Sequence, residues 1–213
     1  MRVIFKPGLM ILSTETDAEA DALAAWSADR GDHVFHLPKV GDRGLALHDL
    51  GPRVEACAEP VNVLYDGDPA WRPISNLALT PFDLDGRRYA SVEGFWQGLK
   101  FPSIADRDRI ARLWGPEAKA AGRAAPPLDL IRYDDRDYPV GRHPHWTLMA
   151  RACRAKFEQD PSARDALLRT GDRPLTHRVR RDSQTLPGVI MADIWMRIRR
   201  RLRTTDDPTE AES

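Results

Sequence analysis

Cysteine is nearly absent. Cys57 and Cys153 are the only two in 213 residues, too few for a disulfide framework and without the paired spacing of a zinc site. That scarcity points to a reducing compartment, and the expectation is a soluble cytoplasmic protein. No apolar run approaches the roughly 18 residues of a membrane span, and Met1–Leu12 is broken by Lys6 and Pro7, unlike a secretory leader. A membrane partner is therefore not expected. Charge of one sign is missing too: 32 basic side chains face 32 acidic ones, which excludes a wholesale polyanion coat or membrane-surface binder. The sequence also lacks a glycine-rich phosphate loop, a Gly-x-Ser-x-Gly elbow and a His-Glu-x-x-His pair, so nucleotide-fold enzymes and the common hydrolase classes have no support. His143-Pro144-His145 reads as loop histidines, because proline fixes a turn and no Cys, Asp or Glu stands at ligand spacing beside them. Neither a metal nor a cofactor is expected.

What is present suits one compact globular domain or one domain with an extension: 42% of positions are apolar, 8% aromatic and 30% charged. The neutral total conceals a segregation of charge. The balance is −4 over residues 1–60, −1 over 61–140, +9 over 141–203 and −4 over the last ten. A basic C-terminal region inside a neutral chain suits an anionic ligand, and equally a set of arginines on solvated helix faces.

Residues 2–12 alternate around Lys6-Pro7-Gly8. Thr16-Asp17-Ala18-Glu19 has the form of a capping box before an alanine-rich helix ending near Gly31, and His33–Leu37 is a strand candidate. These form an appended β-α-β unit over residues 1–60. A second unit, 61–203, opens with the short strand Val61–Tyr65. Its Asp85-Gly86 is the two-residue turn of a hairpin between Pro81–Leu84 and Arg87–Ala90. Ser91 caps a helix to about Leu99. Helices follow at Ala105–Leu113 and Glu117–Arg123, then a Pro/Asp-rich connection over Pro126–Pro144. Trp146–Gln159 is amphipathic, a short helix starts at Asp160-Pro161, Leu175–Val179 alternates like a strand, and residues 189–203 carry an apolar stripe. The acidic tail 204–213 cannot bury a core and is expected to be disordered. The fold class is α+β and mostly helical, with a short hairpin and a small sheet.

Two patterns could carry chemistry. On the helix after the hairpin, Val92, Phe95, Trp96 and Leu99 form an apolar face, while Glu93, Gln97 and Lys100 share a stripe with Glu93 in the first turn, where the helix dipole favours a carboxylate. That stripe fits a site or a solvated face. Further along, Lys156 falls inside the core stripe Met149, Ala152, Cys153 and Phe157, where a lysine must pair or snorkel. A phosphate or site carboxylate is one candidate partner, with Arg151 and Arg154 nearby.

Several motifs then follow in one order: Ile74-Ser75-Asn76-Leu77, the Asp85-Gly86 hairpin, Ser91-Val92-Glu93-Gly94-Phe95-Trp96-Gln97-Gly98-Leu99-Lys100-Phe101, Gly122-Arg123, Met149 through Phe157, and Leu167 through Leu175. Together they resemble the NADAR family, which includes the riboflavin biosynthesis intermediates N-glycosidase and enzymes that remove ADP-ribose from guanine. The similarity covers roughly residues 61–203. It implies hydrolysis of an N-glycosidic bond between ribose and a base, in a metal-free, mostly helical α+β domain. Glu93 matches the family's Glu-x-x-x-Gln-x-x-Lys-Phe run and would be the catalytic carboxylate, with Asp182 the second catalytic candidate. The resemblance makes Ser75, Asn76, Gln97, Lys100, Arg123 and Lys156 substrate-binding candidates, the cations on phosphate oxygens. Trp96 would stack on a base or fill the core.

The motif also departs from the family. Ser183-Gln184-Thr185-Leu186 replaces an aromatic-Trp-Gly stretch. Two function classes follow. One is an N-glycosidase acting on a small phosphorylated riboside or an ADP-ribosyl ligand, with ADP-ribosylated nucleic acid a further candidate partner. The other is a catalytically impaired binder of ADP-ribose or NAD-like ligands, with residues 1–60 making a protein contact. Retention of Glu93 favours the first, and loss of Trp-Gly the second.

Overall fold

Both residues of the Asp85-Gly86 turn take positive φ, 50° and 75°. That is the backbone a two-residue hairpin turn requires. The computed structural model describes residues 1–6, 9–31, 33–36, 39–40, 44–45, 47–52, 59–180, 183 and 185–206. Cys57, Asp182 and residues 207–213 lie outside that set, and with them the question of a disordered acidic tail.

In the N-terminal part, β1 (Arg2–Lys6) and β2 (Leu9–Ser13) pair antiparallel. The helix α1 (Asp17–Ser27) follows, with the Thr16 hydroxyl accepting the Glu19 N–H at 3.2 Å. Then β3 (His33–His36) pairs antiparallel with β6 (His48–Pro52), and β4 (Lys39–Val40) with β5 (Gly44–Leu45). Strands flank the helix as expected, joined through antiparallel ladders. α1 buries none of its residues, and Trp26 remains 37% exposed.

The core cluster of buried apolar side chains runs from Val61 to Leu202. Its first strand, β7 (Val61–Asn62), lies parallel to β12 (Leu175–Thr176), so the two ends of this region meet in one small sheet. The hairpin of β8 (Phe82–Leu84) and β9 (Arg87–Tyr89) leads into α2 (Val92–Gly98). Ser91 is extended, and its Oγ accepts the Gly94 N–H at 2.9 Å, which fixes where α2 begins. Next come α3 (Ile104–Ala111), α4 (Gly115–Ala121) and a 3₁₀ turn over Gly122–Ala124.

Two features differ from expectation. The Pro/Asp-rich connection contains a second hairpin, β10 (Leu130–Tyr133) and β11 (Arg136–Pro139), turned by Asp134 and Asp135 at φ 52° and 55°. Aspartate tolerates this left-handed region better than most side chains, so no glycine signals the turn. In addition, α5 spans His143–Gln159, so its first turn includes the supposed loop histidines. Pro144 there presets the helical φ instead of ending anything. The remaining helices, α6 (Pro161–Arg169) and α7 (Gly188–Asp206), match expectation, except that α7 runs three residues into the expected tail. Met191, Ile194, Trp195, Ile198 and Leu202 are all buried. Among the described residues no helix is long and apolar enough to cross a membrane.

Candidate active site

All seven residues of α2 are buried, so the polar stripe is not a solvated face. Glu93 and Gln97 are 8% and 7% exposed, and Gln97 Nε2 donates to Glu93 Oε1 at 2.7 Å, one helical turn apart. The Glu93 N–H donates to the Asn76 carbonyl at 2.8 Å, joining the first turn of α2 to the Ser75-Asn76 segment. The Asn76 amide donates to Met191 Sδ at 3.0 Å and lies 3.5 Å from Met149 Sδ, while Cys153 Sγ lies 3.6 Å from Asn76 Oδ1. Three sulfur atoms thus hold one amide.

These groups line a cavity of about 220 Å³ that brings together Ser75, Asn76, Glu93, Trp96, Gln97 and Lys100, six of the residues singled out in the sequence. Two more titratable side chains complete it, Lys119 from α4 and His177 just past β12. Nothing in the local sequence of Lys119 marks it, since it stands at an exposed position of a short alanine-rich helix. His177 had a weak signal: it stands two residues from Leu175, so strand alternation puts a polar ring on the buried face. Its Nδ1 lies 2.8 Å from the Val63 carbonyl. A carbonyl only accepts, so Nδ1 carries a hydrogen.

Burial pushes the Glu93 carboxyl above the usual carboxylate range. The hydrogen bond from Gln97 and the charges of Lys119, Lys100 and His177 act in the opposite direction. Burial likewise lowers the Lys100 ammonium, against the favourable field of Glu93. The net effect favours the neutral acid relative to an ordinary glutamate.

The remaining predicted residues fall elsewhere. Arg123 lines an adjoining cavity of about 420 Å³, whose walls include Trp96, Lys100 and Thr185, shared with the first. Lys156 lines neither cavity. It is fully buried, and its Nζ donates to the carbonyls of Ile74 at 3.0 Å and Ser75 at 2.8 Å. Its expected place on a ligand phosphate is corrected accordingly: the anomaly in the core stripe is resolved by backbone acceptors. Asp182 lies outside the described residues. Among the described residues no cluster of histidine, cysteine and carboxylate groups fits a metal ion.

Gly122 backs Gln97 directly. A Cβ built there would stand 1.7 Å from Gln97 Oε1 and 2.4 Å from its Cδ. Gly122→Ala must therefore swing the amide away from Glu93, while the backbone, with φ −70°, accepts alanine. The expected outcome is a variant that still melts cooperatively but is about 1–3 kcal/mol less stable than wild type, because the buried Gln97 must repack, and thermal denaturation checks this.

The family model described as Bacteriophage protein GP30.3 matches residues 69–194. The chain belongs to the GP30.3 family. That span contains every cavity residue named above. One relative, an uncharacterized 17.1 kDa protein in the Gp30-rIII intergenic region of Enterobacteria phage T4, is 33% identical over 116 residues, 50% of this chain and 72% of its own length. A second, N-glycosidase YbiA of Escherichia coli (strain K12), is 29% identical over 125 residues, 56% of this chain and 70% of its own. The NMR structure of E. coli YbiA superimposes with a TM-score of 0.53 at 24% identity, covering 72% of this chain and 92% of that one. This chain and YbiA therefore share a fold, an α+β architecture dominated by helices.

Proposed function

We propose that this GP30.3-family protein is an N-glycosidase that hydrolyses the bond between a ribose and a nitrogenous base in a phosphorylated or ADP-ribosylated riboside, with Glu93 as the catalytic carboxylate. The observation that carries the reading is the buried Glu93 on the wall of a polar, cation-bearing cavity. Its similarity to N-glycosidase YbiA and the NADAR-like order of motifs support the same chemistry. Cleavage of an N-glycoside passes through an oxocarbenium-like state, positive at C1′. An ionised Glu93 stabilises that charge most where water is scarce. Water adds to C1′ and gives a proton to Glu93, the electron pair of the broken C–N bond leaves on the base nitrogen, and that proton passes from Glu93 to the nitrogen, which returns Glu93 to its ionised form. Lys100 and Lys119 supply positive charge for a phosphate, and Gln97 holds the Glu93 carboxylate in one orientation.

Release of free base from phosphoribosylaminouracil, NAD and ADP-ribosylated guanosine is the direct test. If wild type and Glu93→Gln show the same absence of turnover on all three, the reading falls.

The proposal also fixes a pH dependence. Glu93 works ionised, and burial raises its pKa, so the acid limb of kcat lies above the pH 4.5 of an ordinary glutamate. Lys119 is exposed and lowers that pKa by its charge. Lys119→Met is expected to move the limb to higher pH with the melting temperature unchanged. A limb that stays in place or moves down removes Glu93 as the titrating group.

A further inference from the structure

We propose that His177 is the general acid of this site, the group through which the proton gained by Glu93 reaches the leaving nitrogen. The inference rests on the N-glycosidase reading and deepens it. A nitrogen that would leave as an anion has to be protonated as the C–N bond breaks. When water approaches C1′ from the face opposite the base, the carboxylate that takes its proton cannot also touch that nitrogen. Inverting glycosidases divide the two tasks between groups on opposite faces of the sugar. Glu93 therefore needs a partner on the leaving side.

Three features fit His177 to that task. It stands on the wall of the same 220 Å³ cavity as Glu93, and its charge acts on the Glu93 carboxyl. Its ring is oriented: Nδ1 donates to the Val63 carbonyl at 2.8 Å, and an edge-to-face contact with Trp195, centroids 5.5 Å apart and planes at 85°, sets its plane. An imidazole held at one nitrogen by a carbonyl works through the other. That other atom, Nε2, has no hydrogen-bond partner among the described residues and keeps accessible surface. The remaining titratable groups on the wall, Lys100 and Lys119, are ammonium groups suited to a phosphate. Imidazole is the side chain that most readily gives and regains a proton near neutral pH.

The protons balance. Doubly protonated His177 gives its Nε2 proton to the nitrogen that takes the electron pair of the C–N bond, and the ring becomes neutral with Nδ1–H still on Val63. The proton that water leaves on Glu93 then restores Nε2, which returns both groups to their starting states. Over one turnover the net transfer is from water to base.

Leaving-group dependence tests this. The nicotinamide of NAD is joined to ribose as a pyridinium and leaves as a neutral base, so it needs no acid. The nitrogens of phosphoribosylaminouracil and ADP-ribosylated guanosine do. His177→Asn retains a donor near the place of Nδ1 and removes Nε2. The measurement is kcat for base release by the full chain on all three substrates, beside thermal denaturation. The variant is expected to lose about 10²-fold or more on the two substrates that need a proton, and a factor at least about 10 smaller on NAD. If wild type leaves NAD untouched, added imidazole replaces that arm and should restore turnover of the other two. If His177→Asn fails to melt cooperatively, His177→Gln takes its place. Equal losses on all substrates, no loss, or no rescue by imidazole overturns the general acid. So does a leaving-group contrast in Asp182→Asn that His177→Asn lacks. No release from any substrate by wild type discards the glycosidase and the acid together. Release that Glu93→Gln abolishes and His177→Asn leaves unchanged discards the acid alone.

Discussion

Glu93→Gln is expected to lower kcat by about 10²–10⁴-fold and at the same time to make the protein harder to melt. The two effects share one cause. Burial raises the Glu93 pKa, so above pH 4.5 the folded chain holds that proton more tightly than the unfolded chain does. The stability linked to the bound proton is fully present below pH 4.5 and is lost as pH rises through the folded value. Where the carboxylate is ionised, it is therefore a destabilising group. Glutamine cannot ionise, yet its side-chain carbonyl still accepts from Gln97 as Glu93 Oε1 does. The melting temperature of the variant should match wild type near pH 4 and exceed it at pH 7.5. Thermal denaturation at the two pH values, with base release assayed at the higher, checks both halves. Equal melting temperatures at pH 7.5 would mean that Glu93 is neutral there and cannot be the ionised stabiliser.

The second large effect is on folding. Lys156→Met keeps the length of the side chain but leaves the Ile74 and Ser75 carbonyls without their buried donor. Each unsatisfied acceptor costs about 1–3 kcal/mol. Both carbonyls belong to the segment whose next residue, Asn76, accepts from the Glu93 backbone. A drop in denaturation midpoint is the expected result, with ribose 5-phosphate affinity retained under conditions where the variant is folded. The wild type also gains stability as pH rises from about 7 toward 10.5, because burial lowers the Lys156 pKa to about 7 and the unfolded chain then binds the extra proton. The methionine variant lacks that gain. A variant that folds as wild type and loses affinity would return Lys156 to the ligand.

Local chemistry made the framework legible. The Asp85-Gly86 turn, the Ser91 cap and the spacing of Glu93, Gln97 and Lys100 are determined by neighbours within a few residues. A lysine in an apolar stripe was legible as a problem, although its solution, two carbonyls more than eighty positions upstream, was not. The second hairpin escaped because Asp134 and Asp135 adopt left-handed backbone without glycine. His145 escaped because Pro144 begins a helix as readily as it makes a turn. Lys119 joins the site through tertiary packing that the short-range pattern around it does not encode, and alternation from Leu175 marks only the face on which His177 lies, not the cavity it meets.

The parallel pairing of Val61 with Leu175 sets a temporal condition on this chain. His177 is held by Val63, 114 positions earlier, and Val63 precedes the matched span that begins at residue 69. A fragment cut to that span would lose the carbonyl that orients the ring, and would also cut off the buried Ile198 and Leu202. During synthesis the small sheet cannot close until the ribosome has released residue 176. Such long-range closure is slow relative to helix formation. The hairpins and α2 can form while the chain is still growing, but the cavity gains its last wall only after the segment from His177 to Trp195 has emerged.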